Sequence, residues 1–415
     1  MANKLENKIN VYSEIGVLKR VLIHRPGKEL SYLTPTRLDE LLFSAILEVE
    51  TAQKEHDVFT KVLKDNGVEC IELADIVAET YDSANSQVQN EFIERWLDES
   101  EPKLTSELRQ VVKEYILSFK PTRKMIDLMM SGITARELVA AGKKVDSKSP
   151  ELIVDPMPNL YFTRDPYASI GNGASIHTMK YKTRQRETIF ADFVFTHHKD
   201  YKNTPKYFSR NEGKDLTIEG GDVFIYNEKT LVMGVSERTT LKTVETIAKN
   251  IKANKDSTFE KIVAINVPPM PNLMHLDTWL TMLDTNKFLY SPNMLSVLKV
   301  WYIDLTASTI KAVEQNKDIK TVLREIIGEE PVMIPIAGSD ATQMEIDIET
   351  HFDGTNYLVI APGVVVGYDR NKKTEEALKK AGIKVLSFTG NQLSLGMGSA
   401  RCMSMPMYRE PVSKK

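Results

Sequence analysis

Leu63-Lys-Asp-Asn-Gly67-Val-Glu-Cys-Ile71 and Leu378-Lys-Lys-Ala-Gly382-Ile-Lys-Val-Leu386 carry the same device near opposite ends of a 415-residue chain. In each, a helix-forming run stops at a glycine four residues after a leucine. Such a glycine suits the position just past a helix end, where the backbone turns left-handed. The residues after it alternate as a strand. Working outward from the first copy, Val17 to Ile23 is an apolar β-type run closed by Arg25-Pro26-Gly27, and a long helix is expected from about Arg37 to Lys64. Around the second copy, Val364-Val-Val366-Gly-Tyr reads as a strand and Lys373 to Lys380 as a helix. The middle of the chain repeats the order more loosely: Thr230 to Val235 as strand, Thr240 to Lys252 as helix, Ile262 to Val267 as strand. Three strand–helix–strand modules predict an α/β protein. They fit an internally repeated architecture and an open doubly wound sheet equally well.

One segment breaks the rhythm. From Asp75 to about Lys144 the strand signals vanish, and no glycine occurs between Gly67 and Gly132. Helices are expected at Glu91 to Leu97, Glu107 to Phe119 and Arg123 to Met130, with Pro102 and Pro121 placed where helices can begin. The stretch ends in the polar linker Lys143-Lys-Val-Asp-Ser-Lys-Ser-Pro150. It reads as an inserted helical domain over 75–148, between a first module at 1–74 and a remainder at 149–415.

Composition narrows the function classes. The 54 Lys+Arg and 57 Asp+Glu leave a formal net charge of −3, which argues against a nucleic-acid or polybasic membrane-surface partner. Hydrophobic residues at 42% and charged residues at 27% suit a globular protein. No apolar run reaches the length of a membrane span of about 18 residues. The start, Met-Ala-Asn-Lys-Leu-Glu-Asn-Lys, lacks the apolar core of a secretory signal, so a cytoplasmic location is expected. The 2 Cys, Cys70 and Cys402, exclude a disulfide framework and a Cys-rich zinc site. No P-loop exists, and Gly396-Met-Gly398-Ser-Ala-Arg401 fails as a dinucleotide fingerprint at its sixth position.

Four clusters could carry chemistry. Cys402 follows Gly396 and Gly398 and adjoins Arg401, a cation able to favour the nucleophilic thiolate; the plain alternative is a buried cysteine among methionines. Cys70 takes that plain reading. In Asn272-Leu-Met-His275-Leu-Asp277, the His and Asp at i and i+2 would share one face of a strand, a natural proton carrier beside a carboxylate. A structural histidine is the alternative, and a zinc reading lacks a suitably spaced third ligand. In Thr217-Ile-Glu219-Gly-Gly-Asp222, paired glycines suggest backbone pressed against a ligand, or else an ordinary turn. Asp165 ends Pro156-Met-Pro-Asn159-Leu-Tyr-Phe-Thr-Arg-Asp165, with Arg184 and Arg238 following; for both arginines a solvated face is the default. Carboxylates converging on a thiolate would repel it and each other. They make sense if the substrate brings a cation, and a planar guanidinium matches bidentate carboxylates. The arginines then serve a substrate carboxylate.

Asn159-Leu-Tyr-Phe-Thr-Arg-Asp165, Ile218-Glu-Gly-Gly-Asp222, Met274-His-Leu-Asp277 and Arg401-Cys-Met-Ser-Met-Pro406, in this order over essentially the whole chain, resemble the motifs of bacterial arginine deiminases. That resemblance implies a pentein fold, an α/β propeller of five strand–helix modules about a pseudo-fivefold axis, with a helical insertion after the first. It implies cofactor-free, metal-free hydrolysis of L-arginine to L-citrulline and ammonia through a covalent S-alkylthiouronium intermediate, and a homodimer or higher homo-oligomer. By the same resemblance Cys402 is the nucleophile, Asp165 and Asp277 grip the guanidinium, and His275 is the general acid/base with Glu219 beside it. Asn159, Arg184 and Arg238 hold the α-carboxylate, Phe162 and Gly398 line the pocket, and Arg401 is a mobile gate. The chain departs from the family where Phe43 is followed by Ser44-Ala45, a difference expected to bear on packing or assembly, and where Ser399-Ala400 interrupts the glycines before Cys402. Agmatine deiminase, dimethylarginine hydrolase and amidinotransferase are rival readings on the same scaffold, as is a non-catalytic binding or adhesion protein.

Overall fold

Gly67 and Gly382 adopt left-handed φ values of +79° and +77°. The same two hydrogen bonds close each helix: Gly67 N–H to Lys64 O with Val68 N–H to Leu63 O, and Gly382 N–H to Lys379 O with Ile383 N–H to Leu378 O. These turns belong to a computed structural model that describes residues 8–213, 215–268, 274–296 and 298–412; Asn272 lies outside them. Each of the three modules read from sequence is a parallel strand pair. Leu18–Ile23 lies beside Glu69–Glu72, Thr230–Val235 beside Lys261–Asn266, and Val364–Tyr368 beside Lys384–Phe388.

Two further parallel pairs have the same form. Gly173–Ile176 reaches Lys206–Phe208 through the helix Thr188–His197, and Lys287–Tyr290 reaches Val332–Pro335 through the helix Ile319–Ile327. Every pair also carries one antiparallel neighbour: Met405–Arg409, Tyr167–Ile170, Val223–Asn227, Leu280–Met282 and Leu358–Ala361. These strands are thus distributed over five sheets of one pairing order, the sheet containing Thr230–Val235 being extended by Val300–Asp304 and Val313–Gln315, and a sixth, two-stranded sheet stands apart from them among the described residues. The first sheet draws its outer strand, Met405–Arg409, from the far end of the chain.

The helical segment consists of Leu73–Ser83, Ser86–Asp98, Ser106–Leu117, Thr122–Ser131 and Ala135–Ala140. Asn85, Thr105 and Thr134 cap the second, third and fifth by accepting a backbone N–H, as their short polar side chains favour. A two-residue strand, Ile133–Thr134, pairs with Leu152–Val154 inside the region expected to lack strands. Its apolar side chains continue into the rest of the chain: Trp96, Ile116 and Met129 share one apolar cluster with Ile170, Phe190 and Phe193. Among the described residues no helix is long and apolar enough to cross a membrane.

The helix expected from Arg37 to Lys64 is broken. Leu38–Leu41 forms one short turn, Leu42 takes φ +63°, and the helix resumes at Val49–Asp65 after Glu48 caps it by accepting the N–H of Glu50 and Thr51. The break has a tertiary cause. Ser44 bonds Leu395 O through both N–H (3.1 Å) and Oγ (2.6 Å), drawing 42–48 onto the loop that precedes Cys402. The Phe43-Ser44-Ala45 difference, expected to concern packing or assembly, therefore adjoins the candidate site.

Candidate active site

A small cleft of about 10 Å³, room for a single water, opens where six segments of the chain meet. Leu42, Asn159, Phe162, Asp165, Arg184, Arg238, His275, Gly396, Met397 and Cys402 line it. A ligand of amino-acid size therefore needs the lining to part.

Cys402 is buried, with Sγ 3.7 Å from Asp277 Oδ2. Burial, then Asp277, Asp165 and Asp353, push its thiol well above the usual range, with Arg401 opposing. His275, also buried, places Nε2 2.8 Å from Glu219 Oε2 and Nδ1 3.9 Å from Asp165 Oδ1. Burial alone would lower its pKa; Asp165, Glu219 and Asp222 overcome that and raise it to about 9. Glu219 is held well below the carboxylate range, because Arg238, His275 and Arg184 outweigh the desolvation that would raise it. At neutral pH the pair is an imidazolium and a carboxylate.

The expected strand face shared by His275 and Asp277 is absent. Both residues stand at a 3-10 turn, Leu276–Thr278, and point to different partners. Asp222 sets this turn by accepting Leu276 N–H at 2.8 Å. The paired glycines press on protein, with no ligand needed to explain them. A Cβ at Gly220 would lie 1.9 Å from Arg164 O, and one at Gly221 2.5 Å from His275 Nδ1.

Two guanidiniums fill the other wall. Arg184 donates to Asp165 Oδ2 (2.8 Å) and forks onto Glu187 through Nε and Nη2 (3.1 and 3.0 Å). Arg238 donates to Glu219 Oε2 at 3.0 Å, lies 4.4 Å over the Tyr181 ring, and keeps a buried Nε without a partner. Neither arginine is a solvated surface residue. Asn159 uses its Nδ2 to hold Leu41 O at 2.7 Å. Gly398 sits behind Phe162, where a Cβ would lie 2.4 Å from the ring.

Folding does supply the third potential zinc ligand that spacing along the chain did not. One donor atom each from Asp165, Glu219 and His275 lie within 4.8 Å of one another. Arg184 and Arg238 already sit on the two carboxylates and oppose a dication there, so the set reads as an alternating-charge network.

Arg401, expected as a mobile gate, is buried and faces away from the cleft. It donates to Asp277 Oδ2 (2.9 Å), Glu14 Oε2 (3.3 Å) and Val223 O (3.0 Å), with its guanidinium 3.9 Å over Phe224. Sequence reasoning did not single out Leu42, Glu187 or Asn356. Glu187 had a signal, three residues after Arg184 on one helical turn. Leu42 and Asn356 had none, because both act through contacts distant in sequence.

A family model described as arginine deiminase matches residues 39–409. The chain belongs to the arginine deiminase family. It is 58% identical over 408 residues to the arginine deiminase of Metamycoplasma hominis, covering 98% of each chain. It is 57% identical over 406 residues to that of Metamycoplasma arthritidis, covering 97% of each. Among solved structures it resembles the amidinotransferase SxtG of Microseira wollei (13% identity, TM-score 0.55, 98% of this chain and 99% of that one). It also resembles a DDAH from Pseudomonas aeruginosa complexed with citrulline (14%, TM-score 0.52, 94% and 99%). At such identities these two speak for the α/β fold alone.

Proposed function

We propose that the cleft hydrolyses L-arginine to L-citrulline and ammonia, with Cys402 as nucleophile. One observation carries the reading. Asp165 Oδ1 and Asp277 Oδ1 are buried carboxylate oxygens without a hydrogen-bond partner, on the two carboxylates whose charges act most on the sulfur. A buried unpaired acceptor costs on the order of 1–3 kcal/mol, and a guanidinium offers N–H donors in a fork that satisfies both. Arg238, with its free Nε, and Arg184 take the α-carboxylate, and Asn159 completes that end. Phe162, held over Gly398, walls the apolar stem of the substrate. Arg401 acts by holding Asp277.

The chemistry follows from the charges. The substrate cation offsets the carboxylates that hold the thiol protonated, so the thiol gives its proton to solvent and thiolate forms as arginine binds. The sulfur attacks the guanidinium carbon and a C–S bond forms. His275, protonated at neutral pH, gives its proton to the departing nitrogen as the C–N bond breaks and ammonia leaves. The S-alkylthiouronium that remains is attacked by water, whose proton His275 accepts. The C–S bond then breaks and thiolate returns. Water is the only co-reactant. Glu219 holds the imidazole oriented and charged.

Around this site we place the five sheets as pentein modules about a pseudo-fivefold axis, with 75–148 as the inserted helical domain, in a cytoplasmic homo-oligomer. The Arg184/Arg238 pair favours arginine over agmatine, which has no α-carboxylate. Citrulline release from wild type and Cys402→Ala tests the reading: turnover by the alanine variant would remove the nucleophile.

A further inference from the structure

Asp277 and Cys402 must keep a fixed separation if one is to hold a guanidinium while the other attacks it. Their 3.7 Å contact joins two loops far apart in sequence. A turn at Asp353–Asn356 grips both. Asn356 Oδ1 accepts the backbone N–H of Cys402 at 3.0 Å and of Ser399 at 3.3 Å, and Asn356 O accepts that of Arg401 at 3.4 Å. Two donors pointing at one side-chain atom require it to be the oxygen, which fixes the amide orientation. One residue earlier, Thr355 Oγ1 donates to Asp277 O at 3.1 Å. The turn is itself anchored: Thr281 Oγ1 donates to Thr355 O at 2.6 Å, and Asn356 N–H donates to Asp353 O at 2.9 Å. Thr355 and Asn356 are 1% and 0% exposed, and neither lines the cleft.

We infer that Thr355 and Asn356 are a positioning pair, one holding the guanidinium-binding carboxylate and the other the nucleophile, so that a single short turn sets the distance between them. The inference rests on the nucleophile reading above. Neither residue touches the substrate. Each acts through the backbone of the residue that does, so loss of either loosens the attack geometry and leaves the binding of the α-carboxylate in place.

Citrulline formation and thermal unfolding of the full chain test this in wild type, Cys402→Ala, Asn356→Ala, Asn356→Asp, Thr355→Val and Thr355→Ser. Asn356→Ala should lower kcat about 10²-fold, the usual effect of an ångström-scale misplacement. Its KM should stay within about threefold of wild type. Thr355→Val should lower kcat about tenfold, and Thr355→Ser, which keeps the hydroxyl, should restore it. Asn356→Asp keeps the acceptors but adds a charge beside the sulfur, so the acid limb of its kcat–pH profile should move to higher pH. A merely structural role would lower the unfolding midpoint and leave the pH profile unmoved. Wild-type kcat in folded Asn356→Ala and Thr355→Val overturns the inference. Should Asn356→Ala not fold, an unmoved pH profile in Asn356→Asp overturns it. Undiminished turnover by Cys402→Ala would instead overturn the nucleophile reading.

Discussion

Replacing Asp277 by Asn should make the empty enzyme's cysteine more reactive while making the enzyme slower. Asp277 Oδ2 lies 3.7 Å from Cys402 Sγ and is the nearest charge opposing thiolate. At that distance and an effective dielectric of about 20, two unit charges interact by about 4.5 kcal/mol, or roughly 3 pKa units. Arg401, released from Asp277, keeps Glu14 at 3.3 Å. Its relaxation toward Glu14 limits the change, so the thiol should fall by about 1–2 units and the thiolate fraction at pH 7 rise roughly 10- to 100-fold. The assay is iodoacetamide alkylation against pH, followed by mass spectrometry of the Cys402 peptide. Because the small cleft slows access in both proteins, the titration midpoint is compared and absolute rates are not. Cys70, pushed up to about 11 by burial on a distant strand, is an internal reference. Over the same substitution citrulline formation should drop, since one arm of the guanidinium site is gone. A midpoint that stays put, or rises, would refute the charge argument.

Three other outcomes are expected. On the proposed mechanism His275, raised to about 9, should donate its proton until the pH passes that value; its folded-state stabilisation is complete below about 6.5 and is lost as pH rises through about 9. Glu219→Gln should therefore move the basic limb of the kcat–pH profile downward, and an unmoved limb would separate Glu219 from the proton transfer. Arg238→Ala should raise KM for arginine about 10- to 100-fold with little change in slow agmatine turnover, measured side by side; equal losses on both would argue against a carboxylate role. Gly382→Ala meets nothing tighter than an ordinary contact, Lys287 Nζ at 3.7 Å, but forces φ +77° on an L side chain, so urea unfolding should show a loss of about 1–2 kcal/mol.

How much of this was legible depended on whether a signal was local. Gly67 and Gly382 announced their modules because a left-handed helix end favours glycine whatever surrounds it. Gly328, at φ +79° after Ile319–Ile327, carries the same signal, but the hairpin Val300–Asp304/Val313–Gln315 splits its module and hides the period. Gly173–Ile176 contains a single β-branched residue, and the helix that follows, Thr188–His197, buries seven of its ten residues, so neither shows a one-sided pattern. The site divides in the same way. The chemical types were readable as an ordered set of motifs, but the partnerships were not. His275 bonds Glu219 rather than its near neighbour Asp277, and Asp277 bonds Arg401, from the far end of the chain. Leu42 looked like helix interior because nothing within its own stretch reveals that Leu395 waits to receive Ser44.

The seam between Leu18–Ile23 and Met405–Arg409 has a consequence during synthesis. A ribosome finishes the early strand hundreds of residues before the late one exists, and at about 5–20 residues per second that delay is tens of seconds. Throughout it, one apolar border of the newborn chain stands open to any strand that happens by. The sulfur of Cys402 emerges three positions ahead of the missing strand, so the molecule seals its oldest edge and acquires its proposed nucleophile in nearly the same instant.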